Sequence, residues 1–333
     1  MRAILVYNPC AGSGRSIEDI DTVVGMLHRR GWIVRVQEIR KAGDAAHFTR
    51  EAAADGYEMA LVAGGDGTVS SAVQGLVGSQ TALGVLPAGT GNVLARQLGM
   101  PVPGPLHPTI LRKAAELILG GEPHLVDLGL LINATTGERG RYFLCWAGIG
   151  IDAAITQEVE LFPQLKRRLG LGAFVISALQ VLRHYAGTRA ELIVDGQRVR
   201  PRRMLLAVAS NMELYGGFFH ISPQARLDDG LLDFTCFRGD YWFDTLYHAF
   251  IILLRRHVRD PRVICYQARE IEISTARPLP VHVDAEPYGT TPVRIRVVPQ
   301  ALRLIIPSTA PPHILSRSDA SRELRYVLLK PAA

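Results

Sequence analysis

The sequence lacks several features that would place it in a class at once. It has only four cysteines, at positions 10, 145, 236 and 265. Their spacing is neither that of a metal site nor that of paired disulfides, so we expect reduced thiols in a cytoplasmic protein. No uninterrupted apolar segment reaches the roughly 18 residues of a membrane span. We therefore expect no spanning helix. A predicted strand follows Met1-Arg2 directly, so we also expect no signal peptide.

Features of nucleic-acid binding are also missing. There is no recognisable binding motif and no basic run with interleaved stacking aromatics, so we expect no nucleic-acid partner. The composition, 48% apolar and 20% charged, is that of a globular protein. A length of 333 residues suits two domains, each with a buried hydrophobic core. The formal charge of +6 by itself favours anionic membranes, nucleotides or nucleic acid.

The most informative segment is Gly64-Gly65-Asp66-Gly67-Thr68, which follows the apolar run from Met59 to Ala63. The run predicts a buried strand that ends in a turn. Glycines let backbone N–H groups close on a phosphate, while the aspartate and threonine add a carboxylate and a hydroxyl. The segment therefore predicts a phosphate and metal-ion site, although a plain strand-to-helix turn would use the same residues.

Two similar turns follow other predicted strands. One is Asn8-Pro9-Cys10-Ala11-Gly12-Ser13-Gly14-Arg15-Ser16, and the other is Pro87-Ala88-Gly89-Thr90-Gly91-Asn92. In open α/β sheets, ligands bind outside the carboxyl ends of the strands, so we expect the three turns to lie together. Helices that begin after these turns would favour an anion there.

The pattern of elements changes along the chain. Strands and helices alternate over residues 1–125, which predicts an α/β N-terminal domain with a mostly parallel sheet. Short alternating segments over residues 126–307 predict a mainly antiparallel, β-sandwich-like second domain. We interpret Gly120-Gly121-Glu122-Pro123 as the hinge between the two.

The three turns at residues 8–16, 64–68 and 87–92 resemble, in order and spacing, the motifs of the catalytic domain of the diacylglycerol kinase family. This family includes bacterial lipid kinases and the sphingosine and ceramide kinases. Later segments resemble further signatures of the same family, at residues 147–153, 227–233 and 283–286. The resemblance implies a nucleotide-binding kinase domain at 1–125 and a lipid-substrate domain at 126–307. It also implies that the tail, 308–333, returns to the first domain.

The resemblance further implies ATP and Mg²⁺ as cofactors, with Asp66 as a ligand of the nucleotide-associated Mg²⁺. Arg40 stands where relatives often have a threonine, and Arg15 where they often have a lysine. The predicted nucleotide-binding residues are Asn8, Arg15, Arg40, Gly64, Gly65, Asp66, Gly67, Thr68, Val69, Ser70, Thr90 and Asn92.

Asp284 and Glu286 are two residues apart on a predicted strand, so we expect both carboxylates on one face. The resemblance places a catalytic base in this motif and favours Glu286, with Asp284 as an orienting or metal-proximal partner. Between them, Ala285 replaces the family's usual glycine, which suggests an ordinary backbone angle. An exposed acid pair without function is the alternative.

The resemblance also implies a structural Mg²⁺ held by the backbone carbonyls of Arg226 and Leu231 and the carboxylate of Asp229. A plain hairpin turn would have a similar sequence, so this alternative stays open.

Two apolar segments have cations at one end. Lys166-Arg167-Arg168 precedes the apolar stretch Leu169 to Leu182, and Arg255-Arg256-His257 follows the stretch Tyr241 to Leu254. The pattern is typical of peripheral contact with an anionic membrane, although core helices with basic ends would look alike. The sequence leaves a homodimer open.

We therefore predict a cytoplasmic, membrane-associating, ATP-dependent lipid kinase that acts on diacylglycerol or a similar lipid alcohol. Two alternatives remain: another enzyme with the Gly-Gly-Asp-Gly tetrad, such as an NAD kinase, and a non-catalytic nucleotide-binding or lipid-binding protein. A Rossmann dehydrogenase is disfavoured, because the segment from Gly12 to Ile17 lacks the third glycine of the dinucleotide fingerprint.

Overall fold

Strands and helices alternate in the first part of the chain, as predicted. The computed structural model describes residues 1–12, 16–104, 110–134, 140–161, 181, 185–201 and 203–316. The first strands are β1 Arg2–Tyr7, β2 Ile33–Glu38, β3 Met59–Gly64 and β4 Ala82–Pro87. The helices are α1 Ser16–Arg29, α2 Asp44–Ala54, α3 Asp66–Leu76, α4 Val93–Gln97 and α5 Leu111–Leu119.

These four strands form a parallel sheet in the order β2, β1, β3, β4. Every residue of β3 and β4 is buried, which is typical of parallel strands covered by helices. Because the strands are parallel, their carboxyl ends and the turns that follow them share one edge of the sheet.

The described residues of the second part of the chain lie mainly in strands. They are β5 Glu122–Asn133, β6 Arg141–Phe143, β7 Trp146–Gly150, β8 Ala190–Val194, β9 Gln197–Val199, β10 Met204–Ser210, β11 Leu214–Tyr215, β12 Phe219–His220, β13 Leu232–Arg238, β14 Val263–Ala268, β15 Glu270–Thr275, β16 Pro280–Val283, β17 Glu286–Thr290 and β18 Val293–Ile306. Among its described residues, this part has the α-helices α6 Ile151–Leu161 and α7 Trp242–Leu253.

The strands form two large sheets. One continues the parallel sheet, because β18 pairs in parallel with β4 and antiparallel with β5 and β15, followed by β8 and β9. The other is antiparallel, in the order β14, β13, β10, β7, β16, β17. Alternate residues of both sheets form a buried apolar core between them, so the predicted antiparallel sandwich is confirmed.

The predicted hinge is wrong. Glu122 and Pro123 are the first residues of β5, where they pair with Ile306 and Ile305 of β18. The long β18 offers hydrogen-bonding partners to this stretch, and a paired strand is not a free connection. The division of the chain at residue 125 stays a prediction.

The described part of the tail contacts both regions. Thr309 Oγ1 donates to the carbonyl of Leu98 at 3.2 Å, and the carbonyl of Ile314 accepts from the Leu227 N–H at 2.9 Å. The remaining tail, the cations at 166–168 and most of the apolar stretch that follows them lie outside the described residues. Within the described ranges, no helix is long and apolar enough to cross a bilayer.

Candidate active site

The turns that follow β1, β3 and β4 meet at one edge of the sheet, and we call them the loop cluster. Asn8 Nδ2 donates to Thr68 Oγ1 at 3.2 Å, which ties the first turn to the second. The second and third turns touch through their backbones, because a Cβ on Gly89 would lie 2.4 Å from the Cα of Gly65. The cluster is thus built from the segments that the sequence singles out.

Asp66 occupies the centre of this cluster as the first residue of α3. Its Oδ1 accepts from the Val93 N–H at 2.6 Å, which connects the second turn to the start of α4. Its Oδ2 lies so close to Gly91 that a Cβ there would be 2.5 Å away. Burial raises the pKa of Asp66, and the N–H groups of Val93 and Asn92 oppose this shift.

Asn92 shapes the third turn with its side chain. It has a left-handed backbone with φ 49°, which asparagine tolerates better than most residues. Its Nδ2 donates to the Gly89 carbonyl at 2.6 Å, and its Oδ1 accepts from the Gly89 N–H at 2.9 Å. The buried amide is therefore committed to the turn, while Thr90 is exposed.

Asp284 and Glu286 do not share a strand face, and this expectation is wrong. β16 ends at Val283 and β17 begins at Glu286, so Asp284 and Ala285 form a two-residue hairpin turn. Their φ angles are 47° and 65°, and positive φ at both central residues is the requirement of a type I′ turn. The turn sends the two carboxylates in different directions.

Asp284 is buried beneath the turn. Its Oδ1 accepts from the N–H groups of Cys145 and Trp146 at 3.0 Å, and its Oδ2 from that of Leu144 at 3.1 Å. Burial raises the pKa of Asp284, and these N–H groups oppose the shift. The carboxylate is thus committed to the connection between β6 and β7.

Glu286 faces the loop cluster. Its side chain is 40% exposed, and its Oε2 accepts from Arg141 Nη2 of β6. Its Oε1 is turned to the glycine tetrad, because a Cβ on Gly67 would lie 2.7 Å from it. One oxygen is therefore held by an arginine while the other faces the predicted phosphate site. Sequence reasoning missed Arg141, since nothing in the sequence marks a partner 145 residues away.

A buried network holds this turn from below. The Ala285 N–H donates to His282 Nδ1 at 3.3 Å, so His282 Nε2 carries the proton and lies 2.9 Å from Asp152 Oδ2. Tyr215 donates to the same carboxylate oxygen. Burial raises the pKa of Tyr215 well above its ordinary value, so the hydroxyl keeps its proton. A Cβ on Gly148 would collide with His282 and Asp152, which explains the glycine there.

Ala285→Gly is expected to raise the free energy of unfolding by about 0.5–1 kcal/mol. A left-handed backbone costs a residue with a Cβ about 1–2 kcal/mol. The freedom of glycine in the unfolded chain costs about 0.4–1 kcal/mol, which is less. Urea denaturation measures the difference. Ala53→Gly, inside α2, is the control and should lower the value; a decrease for both variants would contradict the strain at Ala285.

The other predicted nucleotide-binding residues range from exposed to buried. Arg40 lies after β2 at the same sheet edge, exposed, 3.8 Å from Glu38. The side chain of Val69 is buried in the core, and Ser70 is buried in α3. Arg15 lies outside the described residues.

The predicted structural metal site lies on a separate loop, between β12 and β13. Arg226 Nη1 donates to the carbonyls of His313 and Leu315, at 2.9 and 3.0 Å. Burial raises the pKa of Asp229 to about 6, and the charges of Asp127 and Asp228 add to this. Among the described residues, no group of three or more His, Cys, Asp or Glu side chains is placed to hold a metal.

Known families match both parts of the chain. Residues 2–131 match the diacylglycerol kinase catalytic domain, and residues 146–306 match the YegS C-terminal NAD kinase beta sandwich-like domain. A diacylglycerol kinase from Mycobacterium tuberculosis is 30% identical over 302 residues, covering 90% of this chain and 93% of that relative. The chain belongs to the diacylglycerol kinase family.

Other members of the diacylglycerol kinase family agree. A diacylglycerol kinase from Bacillus subtilis is 29% identical over 293 residues, covering 87% of this chain and 91% of that relative. The solved structure of a diacylglycerol kinase from Bacillus anthracis shares the fold, with a TM-score of 0.69 at 22% identity, covering 93% of this chain and 98% of that one. The predicted family is thus confirmed, and the protein is a lipid kinase.

Proposed function

We propose that this lipid kinase transfers the γ-phosphoryl group of ATP to the hydroxyl of diacylglycerol or a similar lipid alcohol. The observation that carries the proposal is the position of Glu286 Oε1 against Gly67 of the glycine tetrad. A carboxylate beside a phosphate-sized glycine turn is suited to take a proton from an alcohol that attacks the phosphate.

The chain's own groups supply most of the chemistry. Backbone N–H groups at the start of α3 would hold the phosphates, because a helix N-terminus favours an anion. The oxygen of the lipid hydroxyl would bond to the γ-phosphorus while the bond from that phosphorus to ADP breaks. Glu286 would accept the proton that this hydroxyl loses. Arg141 keeps the Glu286 carboxylate directed at the tetrad. Asp66 would be a ligand for Mg²⁺, which when bound spreads the negative charge of the transferred group.

The acceptor can be identified directly. The protein is incubated with ATP labelled in the γ-phosphate and a total lipid extract, and the labelled products are separated. We expect label in the phosphorylated form of diacylglycerol or a similar lipid alcohol. NAD is offered in a parallel reaction. Label in NAD instead of lipid would contradict the proposal in favour of an NAD kinase, and no label in either would favour a non-catalytic protein.

We also propose that the loop between β12 and β13 holds a structural Mg²⁺ through Asp229 and the carbonyls of Arg226 and Leu231. All three ligands are hard oxygens, which Mg²⁺ prefers. Burial raises the pKa of Asp229, and a bound divalent cation would offset the cost of its charge. A cytoplasmic location and a homodimer stay predictions.

Mg²⁺ is expected to raise the Tm of the wild-type protein by about 1–3 °C over its value in EDTA, since a ligand at ten times its Kd stabilises by about 1.4 kcal/mol. Asp229→Asn should remove this rise. Asp21→Asn, at an exposed aspartate of α1, should keep it. Thermal unfolding without nucleotide is the measurement. An equal rise in all three proteins would mean that Mg²⁺ does not bind through Asp229.

A further inference from the structure

One face of α7 is apolar and exposed to solvent. Its members repeat at helical spacing and are between 49% and 67% exposed: Trp242, Phe243, Leu246, Phe250 and Leu253. We call these five residues the α7 face. The opposite side of the helix is buried and includes His248, Ile251 and Ile252. Large apolar side chains so exposed on one helix mark an interaction surface.

Both ends of α7 are fixed by local hydrogen bonds. At the start, Asp244 accepts from the backbone N–H of Asp240 at 2.9 Å. At the end, the N–H groups of Arg255 and Arg256 donate to the carbonyls of Ile252 and Ile251, both at 2.9 Å. This is a Schellman motif, with Arg255 in the left-handed position at φ 54°. The motif places two exposed arginines directly after the α7 face.

The surface continues towards the loop cluster. Arg255 Nη2 lies 2.7 Å from His220 Nε2 of β12. The hairpin of β11 and β12 carries Phe218, which is 52% exposed and lies under the guanidinium of Arg96 at 5.2 Å. Arg96 Nε in turn donates to the Gly91 carbonyl at 2.9 Å. Contacts therefore connect the α7 face, through an exposed phenylalanine, to the third turn of the loop cluster.

The charges around this surface are unbalanced. Each acid near it has a basic partner: Glu213 pairs with His220, Asp244 and Asp260 pair with Arg262, and Asp240, the one that is 45% exposed, pairs with Arg203. Arg255 and Arg256 are exposed. A second copy of this chain would present the same arginines, whereas anionic headgroups would neutralise them. Trp and Phe beside cations are typical of helices that lie at a lipid interface.

We propose that the α7 face and Phe218 form the surface through which the protein docks on an anionic bilayer, with Arg255 and Arg256 in contact with the headgroups. The inference rests on the proposed function, because a lipid alcohol is presented by a bilayer. Docking at this place would bring the headgroups next to the third turn of the loop cluster, so the substrate would need to leave the bilayer only slightly.

Trp242 reports on this surface directly. The difference in fluorescence between wild type and Trp242→Phe isolates the emission of Trp242. We expect that emission to be quenched by acrylamide in the free protein. It should shift to the blue and become protected when vesicles of phosphatidylcholine and phosphatidylglycerol are added. A protein that sediments with these vesicles without any change at Trp242 binds through another surface, and the proposal is then wrong.

Substitutions separate the apolar and cationic contributions. Phe250→Ser and Leu253→Ser should each weaken binding to the anionic vesicles about tenfold, because each removes apolar surface that the bilayer would otherwise bury. Arg255→Gln and Arg256→Gln should each weaken it about fivefold, an effect that fades as salt rises. Ile33→Ser is the control, because Ile33 is 70% exposed but lies on β2. Equal losses with the control would overturn the proposal.

Two results would assign the α7 face to another occupant. If Trp242 is protected in the free protein and the mass in solution is that of a dimer, a second copy covers the face. If it is protected in a monomer, the chain itself covers the face. Kinase activity on a short-chain diacylglycerol that is dissolved as a monomer tests the proposed function without a bilayer. This activity should be the same in Phe250→Ser as in the wild type. If the wild type has no such activity, the proposed function is contradicted, whereas the vesicle-binding result still stands.

Discussion

Glu286→Gln is expected to lower kcat by about 10² to 10⁴, the range that general base catalysis contributes. Glutamine keeps the size of the side chain and can still accept from Arg141, but it cannot take the proton of the lipid hydroxyl. Nucleotide affinity should change little, because in the proposed mechanism the backbone N–H groups of the glycine turns would hold the phosphates. Steady-state kinetics with saturating lipid and varied ATP separate the two effects.

The control for Glu286 is Glu272→Gln. The two side chains are 40% and 35% exposed and both lie beside an arginine, but Glu272 is on β15 and its partner is Arg294. Its kcat should stay near the wild-type value. If Glu286→Gln kept a normal kcat and Asp284→Asn did not, the roles of the two acids would have to be exchanged. That comparison needs the unfolding free energy of Asp284→Asn as well, because the Asp284 carboxylate accepts three backbone N–H groups.

Asp66→Asn is expected to lower phosphoryl transfer by at least about 10³ while the fold stays intact. Asparagine can keep the hydrogen bond from the Val93 N–H, so the second and third turns stay connected. What it removes is the negative charge that would hold Mg²⁺ beside the phosphates. The measurements are the rate of transfer and the Tm.

Asp44→Asn is the matched control for Asp66. Asp44 is the first residue of α2, follows a glycine N-cap as Asp66 does, and accepts backbone N–H groups of its own turn. It therefore tests how much of the loss comes from changing the charge at a helix start. A rate for Asp66→Asn within a few-fold of wild type would exclude Asp66 from the phosphate site.

The first part of the fold could be predicted because its signals are local. The strand Met59–Gly64 follows from its apolar run, which the sequence places at Met59 to Ala63. The loop cluster could be predicted because parallel strands bring their carboxyl ends together. Each of these inferences needs only a short segment and a rule about sheets.

The acid-bearing turn could not be predicted in the same way. A type I′ turn is recognised by a glycine at its second central position, and here that position is Ala285. The contacts that hold the turn are distant in sequence: 145 residues separate Glu286 from Arg141, and 130 separate His282 from Asp152. Such pairs depend on the order of strands β6, β7 and β16, which one sequence does not reveal.

The strand β18 has a consequence for how the chain folds. The parallel sheet is completed by residues near Leu304, which pair with β4 more than 200 residues earlier in the chain. While the protein is being synthesised, β4 therefore waits as an open edge whose hydrogen-bonding groups can pair with another chain. Contacts so distant in sequence also slow folding, because a long loop must close before they form. This topology therefore carries a risk of aggregation during synthesis, and the risk lasts until β18 pairs with β4.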